Sequence, residues 1–292
     1  IGLPLLGIFI WVSTGRGLRP LRRLADEMTA RSPQHLDPVN GKQVPAEVIP
    51  LVTALNDLLR RLDAALENER RFTADAAHEL RTPLAALKTH AQLALRTEDK
   101  TARSQAIARL IRGVDRTTHL VEQLLTMARL DPHAQQRSGV ALKPTNLCAV
   151  AQQTLADLAP LAVTKNIELS LSEPCRGTVL GDPAMLAVLI RNIAENAIHY
   201  TPMGGEIEVE VRSTGGGTVL LIGDSGPGIP PEDRSHVFKR FYRGLGNTQP
   251  GSGLGLSIVS RIVEIHRASI ELNQSRLGGL LVIVIFPLPP RG

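Results

Sequence analysis

Residues 72–87 read FTADAAHELRTPLAAL, and they place a histidine inside a segment with helical periodicity. Apolar residues recur there every three or four positions, which predicts one apolar stripe formed by Phe72, Ala76, Leu80, Leu84, Leu87 and Ala91. His78 lies two residues from both Ala76 and Leu80, about 200° around a helix that turns about 100° per residue. We therefore expect His78 to point away from the core, with Arg81 and Thr82 on its face. A lone histidine on such a face can be merely solvated, so its role depends on the rest of the chain.

Composition limits the classes of protein that the chain can form. Its 292 residues, 43% hydrophobic and 21% charged, suit two or more folded domains and argue against disorder. The net charge is +5, but basic residues are scattered among acidic ones and aromatics make up only 3%, which argues against direct nucleic-acid binding. Cys148 and Cys175 have no CxxC spacing, so we expect reduced thiols rather than a disulfide or a zinc site.

The first residues, IGLPLLGIFIWV, are apolar but shorter than the roughly 20 residues that span a membrane. A buried core segment or a signal-peptide fragment would give the same pattern. Trp11 and the basic cluster that precedes Asp26 favour the cytoplasmic end of a truncated membrane helix. We therefore expect residues 1–13 to be that tail, and the chain beyond residue 14 to be cytoplasmic.

The next segment combines two helical patterns. Residues 15–31 predict a short amphipathic helix, a polar connector follows, and a helix with heptad-like apolar spacing begins near Ala46. This order directly after a membrane segment resembles a HAMP signal-relay module over residues 14–66. A simple coiled-coil linker is the alternative.

The heptad helix continues through His78 without a turn signal, and we expect Pro83 to bend it. The polar stretch RTEDKT at 96–101 predicts a turn, and a second helix with its own apolar stripe extends to about Leu130. A lone hairpin cannot bury both stripes. Residues 67–135 are therefore expected to form a four-helix bundle with a second copy of the chain.

From residue 136 the pattern becomes mixed α/β. Helices are predicted near 145–163, 183–199 and 254–266, and strands near 167–171, 207–211, 218–224, 269–273 and 279–286. Because helices and strands do not alternate as βαβ units, we expect a sheet covered by helices rather than a parallel doubly wound fold.

Three motifs in this region point to a nucleotide. RNIAENAIHYTP at 191–202 puts Asn192 and Asn196 on one helix face, where amide oxygens can coordinate Mg²⁺ and meet phosphate. GDSGPGIP at 223–230 ends an apolar strand with Asp224, whose carboxylate can accept a hydrogen bond from an adenine amino group. GSGLGLSIV at 251–259 opens a helix with a glycine loop suited to phosphate. Each is weak alone, and the last has neither Rossmann nor P-loop spacing.

Taken in order, HELRTP, NxxxN, DxGxG, FxxF and GxGLGL resemble the sequence boxes of two-component sensor histidine kinases. FTADAAHELRTPL and GSGLGLSIV are most similar to the QseC-type membrane sensors. The resemblance implies an all-α HAMP module and dimeric bundle, followed by an α/β sandwich ATP-binding domain of the GHKL type over 136–292. It also implies a homodimer in the bacterial inner membrane that uses ATP and Mg²⁺ and passes phosphate to an aspartate of a response regulator.

The resemblance assigns roles to single residues. His78 would be the phosphoacceptor, Glu79 would orient it and accept its proton, and Thr82 would place the water that dephosphorylates the regulator. A lid from about Ile229 to Pro250 would be anchored by Phe238 and Phe241. The metal ligand would be Asn196, and the nucleotide contacts would be Asn192, Asn196, Tyr200, Asp224, Gly226, Gly228, Lys239, Arg240, Arg243, Gly251, Gly253, Leu254 and Gly255.

Two residues depart from the family pattern. His199 stands where Lys or Arg is common. Arg267 replaces the usual glycine after the last helix, which predicts a turn that is either strained or differently shaped. Two other classes of protein remain open. A GHKL ATPase that hydrolyses ATP would carry a glutamate base where this chain has Asn192, and a catalytically silent relay would bind ATP and signal through dimer packing alone.

Overall fold

The computed structural model describes residues 37–38, 48–130, 142–242 and 252–288. The chain divides into two units, Ile1–His78 and Glu79–Gly292. The predicted membrane tail, the first HAMP-like helix, Arg243 and Gly251 lie outside the described residues.

Helix α1 (Ile49–Arg96) begins in the first unit and continues into the second. Its part in the first unit carries apolar side chains on its surface. Val52 and Leu59 are buried, whereas Leu51, Leu58 and Leu62 of the same heptad pattern are exposed. Exposed leucines at this spacing are typical of a helix that packs against further helices.

The second unit begins with the remainder of α1 and a second helix, which together form a hairpin. Asp99 caps helix α2 (Lys100–Arg129) by accepting hydrogen bonds from the backbone N–H groups of Thr101 and Ala102. The turn predicted at 96–101 is therefore confirmed. Pro83 lies inside α1 without ending it.

The two helices of the hairpin approach closely at Gly113. A Cβ atom at this position would lie 2.6 Å from Cδ2 of Leu87. The apolar residue on α1 thus packs directly on the backbone of α2, and the predicted antiparallel hairpin is confirmed.

The rest of the second unit is an α/β sandwich. Its helices are α3 (Leu147–Thr164), α4 (Pro183–Tyr200) and α5 (Gly255–Ile265), and its strands are β1 (Lys143–Asn146), β2 (Glu168–Leu171), β3 (Thr178–Gly181), β4 (Glu206–Thr214), β5 (Gly217–Asp224), β6 (Ser269–Gln274) and β7 (Leu280–Pro287). The main sheet has the order β2-β4-β5-β7-β6, and only β2 and β4 run parallel. This is the expected sheet covered by helices. The apolar strand β5 lies at its centre.

One helix in the described part of the chain has the length and apolar composition of a membrane span, namely α3. Leu147, Ala151 and Leu158 on this helix are buried, and it packs against α4 and β2. It is therefore a core helix of the sandwich.

No sequence pattern indicated the small second sheet, in which β1 and β3 pair antiparallel with Asn146 opposite Thr178. This pairing brings together two chain segments whose cysteines are 27 residues apart, and Cys148 and Cys175 form a disulfide with a Cα–Cα distance of 5.7 Å. The expectation of two reduced thiols is therefore wrong. The cysteine spacing alone could not reveal a contact that depends on an unpredicted ladder.

Helix α5 ends in a turn that confirms the strain expected at Arg267. This residue has φ 52°, in the left-handed region that favours glycine. The N–H of Ala268 bonds to the carbonyl of Val263 across the turn, which is the hydrogen bond of a Schellman motif.

A buried histidine ties the end of α5 to the start of α4. His266 Nδ1 lies 2.8 Å from the carbonyl oxygen of Ile262, and Nε2 lies 3.2 Å from the backbone nitrogen of Asp182. Because a carbonyl can only accept and an N–H can only donate, the ring is neutral with its proton on Nδ1. Burial lowers the pKa of His266 below the usual 6.5, since a charged ring would have to be desolvated.

We predict that this histidine makes the sandwich less stable in acid. Its contribution is complete above pH 6.5 and decreases as the pH falls below that value, because the unfolded chain then takes up the proton first. His266→Gln should cost about 1–3 kcal/mol at pH 7.5. Thermal unfolding at pH 7.5 and 5.5 should show a smaller pH-dependent loss in the variant than in the parent. An equal loss in both proteins would contradict this account.

Candidate functional site

The histidine of the first motif lies where the periodicity predicted. His78 is exposed on α1, and Arg81 and Thr82 are exposed close behind it, whereas Leu80 is half-buried. Glu79 is half-buried as well. An exposed imidazole in mid-helix is available to a second reactant, which is what a phosphoacceptor requires.

The two asparagines of α4 converge on the first residue of α5. A Cβ atom on Gly255 would lie 3.2 Å from Oδ1 of Asn192 and 3.3 Å from Nδ2 of Asn196. The side-chain amide nitrogen of Asn192 donates to the carbonyl of Val188 at 2.8 Å, so its oxygen is the atom that faces α5. The N-terminus of α5 therefore lies next to two neutral side-chain amides. This arrangement suits the binding of phosphate and of a hard cation.

Asp224 is a buried carboxylate at the end of β5. Its Oδ1 accepts hydrogen bonds from the backbone N–H groups of Gly226 at 2.8 Å and Leu280 at 3.1 Å. Burial raises the pKa of Asp224, and the two N–H donors oppose that rise. Within the described part of the chain, the second carboxylate oxygen makes no hydrogen bond, so it can accept from a ligand amino group.

Glycines surround this carboxylate because the backbone comes close on every side. A Cβ on Gly226 would lie 3.1 Å from the carbonyl oxygen of Tyr200, and Gly228 has φ 72° and lies against Gly279. The structure therefore brings Asp224, Gly226 and Gly228 together with the backbone of Tyr200. These contacts define a second region of the site, distinct from the asparagine pair.

Sequence reasoning missed Gly279, which belongs to this group. A Cβ there would lie 2.1 Å from Oδ1 of Asp224 and 2.5 Å from the nitrogen of Gly226. The only available signal was the Gly-Gly pair at 278–279 before the last strand, which also reads as an ordinary turn.

A backbone hydrogen bond joins the segment before the glycine loop to that loop. Phe241, with φ 60°, donates its N–H to the carbonyl of Gly253 at 3.0 Å, and Gly253 has φ 68°. A side chain on Gly253 would lie 2.7 Å from the Phe241 carbonyl carbon. Phe241, the predicted anchor, is thus bound to the glycine loop through its backbone.

The remaining predicted contacts of this region differ in exposure. Lys239 and Arg240 are exposed, Phe238 is half-buried, and Leu254 is fully buried. Tyr242 fixes the same segment, because its hydroxyl donates to Asp233 at 2.7 Å. This hydrogen bond raises the pKa of Tyr242.

Another residue missed from the sequence supports the end of α4. The ammonium group of Lys165 donates to the carbonyls of Ile198 at 2.8 Å and His199 at 2.7 Å. It thereby caps the helix that carries both asparagines. Its position after α3 carried no motif.

Three known families match consecutive parts of the chain. Residues 181–290 match the histidine kinase-, DNA gyrase B- and HSP90-like ATPases. Residues 68–133 match the His Kinase A phospho-acceptor domain. Residues 18–64 match the HAMP domain of PhoQ-like sensor proteins. Along the chain, a HAMP module is thus followed by a phospho-acceptor domain and an ATPase domain of this class.

Curated relatives are similar to this protein over almost the whole chain. The sensor protein kinase PmrB of Pseudomonas aeruginosa is 45% identical over 98% of this chain and 60% of its own length. The sensor protein QseC of Escherichia coli K12 is 39% identical over 96% of this chain and 61% of its own length. The sensor protein BasS of the same strain is 36% identical over 92% of this chain and 72% of its own length. The chain belongs to the sensor histidine kinases, and the predicted likeness to QseC is confirmed.

A solved structure shows the same fold. The Acinetobacter baumannii histidine kinase AdeS covers 73% of this chain and 98% of its own, with a TM-score of 0.55 and 24% identity. This chain spans about three fifths of the length of PmrB and QseC.

We predict that Gly279→Ala disrupts the Asp224 end of the site. The added Cβ would meet both the carboxylate and the backbone of Gly226, so Asp224 must move. We expect a loss of about 1–3 kcal/mol in folding stability and at least severalfold weaker binding of a fluorescent ATP analogue. The control is Gly216→Ala, because a Cβ there meets nothing within 4 Å. Equal binding by both variants would refute the assignment.

Proposed function

We propose that the chain is an ATP-dependent protein-histidine kinase that phosphorylates His78. The observation that carries the proposal is the convergence of Asn192, Asn196 and Gly255 at the start of α5, in a chain that also exposes His78 on a phospho-acceptor helix. The buried carboxylate of Asp224 supplies an acceptor for the adenine amino group. The family match supports ATP as the nucleotide.

Mg²⁺ is the metal that these residues fit. No cluster of three or more His, Cys, Asp or Glu side chains that could hold a metal occurs among residues 48–130, 142–242 and 252–288. We call Asn192, Asn196 and Gly255 the cradle. The side chain of Asn196 offers an amide oxygen, which is a neutral ligand. Mg²⁺ commonly takes few protein ligands and completes its shell with phosphates and water. When bound, the ion neutralises charge on the transferred phosphoryl group.

The chemistry at His78 needs little activation. A neutral imidazole nitrogen is nucleophilic near pH 7, so its lone pair can form the N–P bond while the bond from the γ-phosphorus to the ADP oxygen breaks. The proton on the other ring nitrogen passes to a base, for which we propose Glu79, the next residue on the helix. ADP leaves with the electron pair of the broken bond.

The phosphoryl group then passes to an aspartate of a response regulator. An exposed His78 suits this second encounter, and Thr82 shares its exposed face and could place the water that dephosphorylates the regulator. The PmrB, QseC and BasS relatives are sensor proteins, which supports a bacterial inner-membrane sensor with its catalytic part in the cytoplasm.

Helix α2 supports a homodimer. Five apolar residues recur on one exposed face of this helix, and their spacing follows a heptad pattern: Ile107, Ile111, Val114, Val121 and Leu125. A single chain leaves this stripe in water. A second copy would cover it in a four-helix bundle.

We predict that His78→Gln abolishes autophosphorylation and leaves ATP binding intact, because the nucleophile is lost and the nucleotide site is unchanged. The measurement is incubation with Mg·ATP followed by a test for acid-labile, alkali-stable phosphate. His90→Gln on the same helix is the control and should keep full activity. Acid-labile phosphate that persists in the His78 variant would overturn the proposal, and so would phosphate release without any phosphoprotein in the parent.

We predict that Asn196→Asp weakens the use of Mg·ATP, because it places a carboxylate beside the phosphates. A rise in KM of about tenfold, equal to roughly 1.4 kcal/mol, is expected. Asn273→Asp is the control, since it adds the same charge at an exposed position of β6. Identical KM values for the two variants would remove Asn196 from the site.

A further inference from the structure

Helix α2 contacts the sandwich at three polar points within the second unit. His119 Nε2 lies 3.3 Å from Oε2 of Glu195, and the hydroxyl of Ser252 donates to Oε1 of Gln123 at 2.6 Å. The Arg261 guanidinium donates to the carbonyl of Leu130 at 3.0 Å. Residues 119 and 123 are four positions apart and share one face of α2, and Leu130 caps the C-terminus of this helix.

All three contacts reach elements that form the nucleotide site. Glu195 is the neighbour of Asn196 on α4, Ser252 belongs to the glycine loop, and Arg261 lies on α5. The hydrogen bond with Glu195 raises the pKa of His119, which favours an ion pair at this point. The face of α2 is therefore joined to both sides of the cradle at Gly255.

Ser252 links Gln123 to the glycine loop. Its Oγ accepts a hydrogen bond from the N–H of Leu254 at 3.1 Å, so its own proton is the one donated to Gln123. Leu254 is fully buried, and Gly253 between them accepts from the N–H of Phe241. The loop is thus held from two directions, by α2 through a side chain and by the preceding segment through the backbone.

We propose that Gln123 is a positioning residue that sets the glycine loop through Ser252 and thereby couples α2 to nucleotide binding. The proposal rests on the proposed function only for the identity of the ligand. A shift of α2 by one helical turn, about 5.4 Å, carries Gln123 out of hydrogen-bond reach of Ser252. Because coupling between two sites is reciprocal, nucleotide bound at the loop must equally restrain α2.

The first test measures affinity for a fluorescent, non-hydrolysable ATP analogue with Mg²⁺. Gln123→Leu removes one hydrogen bond, and we expect it to weaken binding about fivefold. Ser252→Ala also removes the acceptor of the Leu254 N–H, so its loss should be at least as large. The double variant should be no weaker than Ser252→Ala, and Ser252→Thr should recover most of the affinity lost in Ser252→Ala. Gln105→Leu, an exposed position on the same helix, is the matched control. Wild-type affinity in Gln123→Leu, or additive losses in the double variant, would overturn the proposal.

The second test measures the rate of amide hydrogen exchange in α2. The analogue should slow exchange across residues 119–130 in the parent and in Gln105→Leu, and this protection should disappear in Gln123→Leu. Protection that is unchanged in Gln123→Leu contradicts the coupling. Both tests are done without phosphoryl transfer, so a chain that binds the analogue but never phosphorylates His78 would lose the kinase proposal and keep this one.

Discussion

Helices α4 and α5 can approach as closely as they do because position 255 has no side chain. Any Cβ there would press on the amides of Asn192 and Asn196, at 3.2 and 3.3 Å. The close approach brings the N-terminus of α5, where the first N–H groups of a helix have no partner within the helix, next to those amides. The positive end of the helix attracts phosphate, while neutral amides coordinate a cation without adding repulsion. The proposed phosphate end of the site depends on this one contact.

The other end of the site works by different chemistry. Asp224 is buried, and two backbone N–H groups hold one of its oxygens, so the carboxylate has a fixed orientation. Gly226 and Gly279 let the backbone come close enough to supply those contacts. In the proposed site, the helix terminus would bind a charged group, whereas the fixed carboxylate would accept from a hydrogen-bond donor. A nucleotide needs both.

Local spacing predicted a large part of this arrangement. Asn192 and Asn196 are four residues apart in a helix, Asp224 ends an apolar strand, and His78 lies opposite an apolar stripe. Each of these depends on a periodicity that can be read from neighbouring residues. Their placement was correct for that reason.

Contacts between distant segments were not predictable in this way. Gly279 reaches Asp224 because of the pairing of β5 with β7, and that pairing is set by the whole sheet. The strand β1 reads KPTN, in which Pro and Asn are typical of turns, so its ladder and the disulfide beyond it were missed. The face of α2 that meets the sandwich also carries no motif, since Gln123 reads only as a polar helical residue.

The hydrogen bond between His266 and Asp182 also affects the opposite end of α5. It fixes the far end of α5 to the start of α4, while the phosphate cradle lies at the opposite end of α5, about 16 Å away along an 11-residue helix. Over that length, a tilt of α5 by about 5° about its His266 end would displace Gly255 by about 1.4 Å. The hydrogen bond between His266 and Asp182 therefore helps to keep Gly255 aligned with Asn192 and Asn196.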